Sequence, residues 1–225
     1  LYPEWVGAIS PIAVSGRHSA WCIGLSEAQR QAIFADPNWR GGNYSPDNPP
    51  AQGLAVARMI AMTTYRAWES FELRFSRQVQ AEDPKQPFAI SHYLQYQGQK
   101  LVERFDANTY VTLTHAMDSH DVGYNRGSFN TALNAIRQPA LVVAIDTDVL
   151  YPPIEQQKLV EQIPTGELAW LRSPHGHDAF LIDMEELNQM LVSFCSHPPN
   201  TVSPTQESLN GDAFRKGRSI RAISG

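Results

Sequence analysis

Two acidic residues follow one apolar run, and a histidine follows the next. Pro139-Ala140-Leu141-Val142-Val143-Ala144-Ile145 leads into Asp146-Thr147-Asp148-Val149-Leu150-Tyr151-Pro152, and Glu167-Leu168-Ala169-Trp170-Leu171 leads to Pro174-His175-Gly176-His177-Asp178. An Asp placed against a His is the acid–base part of a nucleophilic triad. The carboxylate orients the imidazole and stabilises it when protonated, while the other ring nitrogen takes a proton from a hydroxyl. In the chain order Ser, acid, His, the nucleophile sits ahead of both on a G-x-S-x-G turn. No G-x-S-x-G occurs in the 225 residues, so two of three catalytic parts are legible.

Asp146 and Asp148 compete for the acid role. Asp148 is preferred, because the strand should end before the turn that precedes Tyr151-Pro152. In the alternative, Asp148 caps the helix after Pro152 and His177 is a turn histidine. A metal cluster at His175-Gly176-His177-Asp178 lacks further ligands at suitable spacing. Thr114-His115-Ala116-Met117-Asp118-Ser119-His120-Asp121 reads as a helix end whose His and Asp are caps and solvated charges. Cys22, beside Trp21, reads as a buried thiol rather than a nucleophile.

These groups need a scaffold that brings strand ends to one edge. Val6–Val14 is apolar with small residues, as a buried parallel strand requires. From about residue 19 to 120 the pattern turns helical, clearest over Glu27–Phe34 and Leu54–Tyr65, with later helices over Ile90–Phe105 and Ala107–Met117. Turn residues crowd the stretch between the first two, in Asp36-Pro37-Asn38-Trp39-Arg40-Gly41-Gly42 and Pro46-Asp47-Asn48-Pro49-Pro50. Strand character returns at 139–145 and 167–171, separated by a helix over Pro153–Ile163, and Asp178–Cys195 reads as a closing helix. Strands separated by helices imply a parallel sheet, and in such sheets the ligand-facing residues lie beyond the C-terminal strand ends. Asp148 and His177 both fall on that edge.

The expected organisation is α/β, with a core of residues 1–18 and 128–196, a helical lid at 19–127 and a disordered polar tail at 197–225. Hydrophobic residues make up 42% and charged residues 18%, ordinary values for a globular chain. A net charge of −5 and a pI near 5.8 exclude a general nucleic-acid footprint. The short basic run at Arg215-Lys216-Gly217-Arg218 reads as solvated. No apolar run is long enough to span a membrane. Cys22 and Cys195 match no metal spacing and read as free thiols of a reducing compartment, which points to the cytoplasm. The opening Leu1-Tyr2-Pro3-Glu4-Trp5 reads like the middle of a longer protein.

Several strings together resemble the homoserine O-acetyltransferase family. They are Ser26-Glu27-Ala28-Gln29-Arg30-Gln31-Ala32-Ile33, Asp36-Pro37-Asn38-Trp39-Arg40-Gly41-Gly42, Gly53-Leu54-Ala55-Val56-Ala57-Arg58-Met59-Ile60 and Thr64-Tyr65-Arg66. The likeness continues through Tyr93-Leu94-Gln95-Tyr96-Gln97-Gly98, Arg104-Phe105-Asp106-Ala107-Asn108-Thr109-Tyr110, Met117-Asp118-Ser119-His120-Asp121-Val122 and Gly176-His177-Asp178-Ala179-Phe180, covering about Leu1 to Phe194.

The resemblance implies the C-terminal part of an α/β-hydrolase fold with a helical lid. It also implies transfer of acetyl from acetyl-CoA, as co-substrate with no further cofactor and no metal, to the hydroxyl of L-homoserine in methionine biosynthesis. In that family a Ser takes the acyl group and the His then activates the acceptor hydroxyl, a ping-pong route. The family's acid and base fall on Asp148 and His177, its substrate-holding Arg and Tyr on Arg58 and Tyr65, and the acid that meets the substrate ammonium on Asp178. A homodimer through lid helices is implied as well. The family's nucleophile elbow would lie ahead of Leu1, so the chain alone is expected to be inactive. Relatives that succinylate homoserine, acylate serine or acetylate a cephalosporin alcohol remain alternatives, as do a serine hydrolase and a non-catalytic fragment or subunit.

Overall fold

The computed structural model describes residues 2–80 and 88–196. The expected tail lies outside the described residues.

The centre is a two-stranded parallel sheet, β1 (Ala140–Ile145) and β2 (Gly166–Leu171), paired Ala140 to Gly166 through Ile145 to Leu171. All six residues of β1 are buried, and its side chains alternate between two covered faces. Leu141, Val143 and Ile145 pack with Ala169, Leu171, Leu187 and Phe194 on one face. Ala140, Val142 and Ala144 pack with Leu133, Leu159, Ile163 and Leu168 on the other. Burying a Val or Ile side chain stabilises by roughly 1.5–3 kcal/mol, so a strand with no polar face is specified by packing on both sides. The crossover is α7 (Pro153–Gln162), which starts with Pro at a position where a missing N–H costs nothing.

Along its other edge β1 is flanked by the segment around Ile9 and Ile12, which form parallel bridges to Ala140 and Val143. The expected continuous strand at 6–14 is therefore only partly realised. Val6 and Val14 are exposed. Pro11 has no N–H for a ladder, and Ala13 takes a left-handed φ of 49°, which ends the extended run. Gln156 of α7, fully buried, donates from Nε2 to the Val14 carbonyl at 2.8 Å and anchors the end of this segment.

Among the described residues, 20–119 hold five α-helices: α1 (Ala20–Phe34), α2 (Ala51–Tyr65), α3 (Trp68–Arg74), α4 (Ala89–Val102) and α5 (Ala107–Ser119). Ser19 caps α1 by accepting from the Cys22 amide, and Asp106 caps α5 by accepting from Thr109. α2 packs between α1 and α4, and α5 packs on α1. Ile33, Leu54, Ala57, Leu101 and Ala107 form the shared apolar core. Gly53 permits the closeness of α1 and α2, since a Cβ there would stand 2.6 Å from the Ala32 carbonyl oxygen. α6 (Phe129–Asn134), capped by Ser128, returns the chain to the sheet.

The single closing helix expected over 178–195 is instead three pieces. A 3-10 turn at Gly176–Asp178 runs into α8 (Ala179–Ile182), and after Asp183 the chain restarts as α9 (Met184–Ser196). The break at Asp183, outside helical geometry, lets α8 stay beside the His177 turn while α9 lies on the sheet through Leu187 and Phe194. No described helix is long and apolar enough to cross a membrane.

Candidate active site

The turn after β1 carries both Asp146 and Asp148, and the structure separates their roles. Asp148 has a fully buried side chain, and its Oδ2 lies 2.8 Å from His177 Nδ1. Its Oδ1 accepts the amides of Leu150 at 2.8 Å and Tyr151 at 2.9 Å. One oxygen therefore fixes the turn and the other fixes the imidazole. The helix after Pro152 has no side-chain cap, so the capping alternative for Asp148 is not what the carboxylate does. Asp146 turns away, accepting from the Ser173 amide at 3.1 Å and pairing with Arg172 at 3.4 Å.

Thr147, between them, joins the two strand-end turns. Its hydroxyl donates to the Ser173 carbonyl at 2.6 Å and accepts from the Gly176 amide at 3.0 Å. An ionised carboxylate only accepts, so His177 Nδ1 carries the proton and Nε2 is left with its lone pair. Among the described residues Nε2 has no hydrogen-bond partner. Three aromatic rings surround the imidazole: Tyr151 and Phe180 at 5.5 Å and Tyr65 at 6.0 Å between centroids.

Arg58 and Tyr65 share one face of α2, with the guanidinium 5.2 Å from the Tyr65 ring centroid. Tyr65 thus stands between Arg58 and His177. Burial pushes its phenol above the ordinary value, against the pull of Arg58. Asp178 is half-buried and is paired with Arg66 Nε at 3.2 Å. Burial raises its carboxyl above the usual aspartate range, opposed by Arg66, His177 and Arg58. Arg66 was not among the residues singled out by type and spacing, although it is in the Thr64-Tyr65-Arg66 string. Arg66 and Val149 also line a largely apolar cavity of about 460 Å³, with Trp68, Phe71, Ile90 and Leu94.

His175 has its Nδ1 3.4 Å from the Ser70 hydroxyl. Among the described residues no three His, Cys, Asp or Glu side chains converge as a metal site would need. The 114–121 stretch departs from the expectation of solvated charges. Asp118 is largely buried, ion-paired to Arg30 at 2.7 Å and hydrogen-bonded to His18 Nδ1 at 2.9 Å. That pairing depends on α1 meeting α5 and has no local signature. Cys22 is buried, its Sγ donates to the Leu150 carbonyl, and burial raises its thiol.

A parallel sheet covered on both faces, with an acid after one strand and its histidine after the next, defines an α/β hydrolase. The chain belongs to that family, whose sequence model, described as the α/β hydrolase fold, matches residues 7–183. A homoserine O-acetyltransferase of Nostoc punctiforme is 65% identical over 196 residues, which are 85% of this chain and 54% of that protein. The chain thus spans about half the length of the curated relatives it matches. Among solved structures, a homoserine O-acetyltransferase from Bacillus anthracis superposes with a TM-score of 0.79 at 19% identity, over 89% of this chain and 56% of that one. Esterase E22 superposes with 0.77 at 23%, over 86% and 55%. Those two likenesses establish the fold and nothing finer.

Proposed function

We propose that this chain supplies the acid, the base and the acceptor site of an acyltransferase that moves acetyl from acetyl-CoA to the side-chain hydroxyl of L-homoserine. The observation that carries the reading is the buried Asp148–His177 contact at 2.8 Å, with Nε2 unpartnered among the described residues, in a chain 65% identical to a homoserine O-acetyltransferase. A Ser outside these 225 residues attacks the thioester while His177 takes its proton and passes it to the departing CoA sulfur. The acceptor hydroxyl then gives its proton to the neutral His177 as it attacks the acyl-enzyme, and His177 returns that proton to the Ser oxygen as the ester is released. The Asp148 carboxylate stabilises the imidazolium formed in each half-reaction.

The acceptor is a zwitterion. Arg58, whose fork of donors matches a carboxylate, holds the carboxylate end beside Tyr65. Asp178 meets the ammonium, which must share that carboxylate with Arg66. Residues 19–127 act as the lid over residues 1–18 and 128–196, and the enzyme works as a cytoplasmic homodimer through lid helices. It uses no metal, no nucleic acid and no membrane.

The test is acetyl transfer from acetyl-CoA to homoserine by this chain alone and by the chain joined to the portion of the Nostoc relative that it does not span. Transfer only by the joined protein supports the reading. Transfer by the chain alone at a comparable rate would show that it needs no outside Ser. Ester hydrolysis by the joined protein without transfer would favour a serine hydrolase, and turnover of succinyl-CoA over acetyl-CoA would reassign the donor.

A further inference from the structure

A second His–Asp pair stands behind the first and ends on the same imidazole. His18, in the link just before α1, has Nδ1 2.9 Å from Asp118 Oδ1 and Nε2 2.7 Å from the Tyr151 hydroxyl. Arg30 of α1, its side chain 4% exposed, holds the other Asp118 oxygen at 2.7 Å. The Asp118 carboxyl is desolvated, yet hydrogen bonds from His18 and Arg30 outweigh burial and hold it below the ordinary aspartate range. It is therefore an acceptor. With Nδ1 donating to Asp118, Nε2 is left to accept from the Tyr151 O–H. The order is Arg30, Asp118, His18, Tyr151, and the Tyr151 ring lies 5.5 Å from that of His177. Tyr151 also gives its amide to Asp148, so the residue touches both members of the acid–base pair.

The same turn is gripped at two more points by α1. Trp21 Nε1 donates to the Val149 carbonyl at 2.8 Å, and Cys22 Sγ donates to that of Leu150 at 3.3 Å. Buried charges are costly unless fully paired, and here a buried pair ends on one phenol.

We infer that Tyr151 is a positioning residue for His177, tethered through His18 by the Arg30–Asp118 ion pair of the helical layer. The inference rests on His177 being the base. The tether aligns the imidazole only while α1 is docked on the turn and α5 on α1. Tyr151→Phe keeps the ring and loses the tether. His18→Ala loses it from the other side. His18→Gln places an amide oxygen where Nε2 was and can accept the phenol proton again.

Two readouts on Tyr151→Phe, His18→Ala, His18→Gln and the His18→Ala/Tyr151→Phe double variant test this. In the chain itself, NMR of labelled histidine follows the His177 ring protons, which sense the Tyr151 ring current. Tyr151→Phe and His18→Ala should shift them alike, the double variant should add nothing, and His18→Gln should return them toward wild type. In the joined enzyme, each tether loss should lower kcat about tenfold with KM for both substrates unchanged, again without addition in the double variant. His177 resonances unmoved in Tyr151→Phe, or losses that multiply in the double variant, overturn the inference. If the joined wild-type protein transfers no acetyl, the acyltransferase reading fails, and the NMR experiment still decides the positioning on its own.

Discussion

Gly176 passes so close to Ala67 that a Cβ built on it would stand 2.4 Å from the Ala67 amide nitrogen. Its φ of 69° is also in the left-handed region. The residue before His177 is thus pressed onto the end of α2, and this contact sets Arg66 beside Asp178. Gly176→Ala should destabilise the protein by about 1–3 kcal/mol from backbone strain alone, more if α2 must retreat. The urea midpoint measures it, and a midpoint equal to wild type would mean that the turn relaxes freely.

The division of labour between the two neighbouring carboxylates is equally sharp. Asp148→Asn should permit the wrong imidazole tautomer and lower acetyl transfer by the joined enzyme about 10⁴-fold. Asp146, whose side chain bonds only Ser173 and Arg172 among the described residues, should tolerate Asp146→Asn with the rate near wild type. Equal losses in the two variants would contradict the assignment of the acid.

Arg58→Ala should raise the KM for homoserine without abolishing acyl-enzyme formation, seen as a CoA burst. Unchanged homoserine saturation would count against Arg58 as the carboxylate partner. Arg66→Gln removes the cation that lowers the Asp178 carboxyl against the pull of burial. The carboxyl then titrates higher, so homoserine binding should weaken at a higher pH than in wild type as the solution is acidified. A profile of KM against pH that matches wild type would exclude Asp178 as the ammonium partner.

Asp118 gives a stability signature of the opposite sign. Its carboxyl titrates lower folded than unfolded, so between the two values the unfolded chain binds more protons. The stabilisation is present above the unfolded value, about 3.9, and is lost as pH falls through the folded one. Asp118→Asn should flatten the fall of the urea midpoint over that range. An unaltered slope would mean that the carboxyl is not held low by His18 and Arg30.

The Asp148–His177 contact was legible because each residue sits just past an apolar run, and a parallel sheet brings such ends to one edge. β1 was equally legible, since a strand buried on both faces has no polar residue to blur its limits. The segment at 6–14 was less so, because apolar composition does not report that Pro11 and Ala13 interrupt the ladder. Asp183, inside an otherwise periodic stretch, hid the break between α8 and α9. The His18–Asp118 pair, 100 residues apart, could not be read locally. It exists only because α1 and α5 pack together, and the family likeness did not mark it as a pair.

The sulfur of Cys22 turns the grip of α1 on the 148–151 turn into a clock. It is buried and bonded to the Leu150 carbonyl, while Cys195 is exposed. A thiol reagent therefore marks Cys195 at once but reaches Cys22 only in molecules whose first helix has let go of the turn. The ratio of the two alkylation rates counts those departures, and a substrate that draws the helix inward slows the second rate without touching the first.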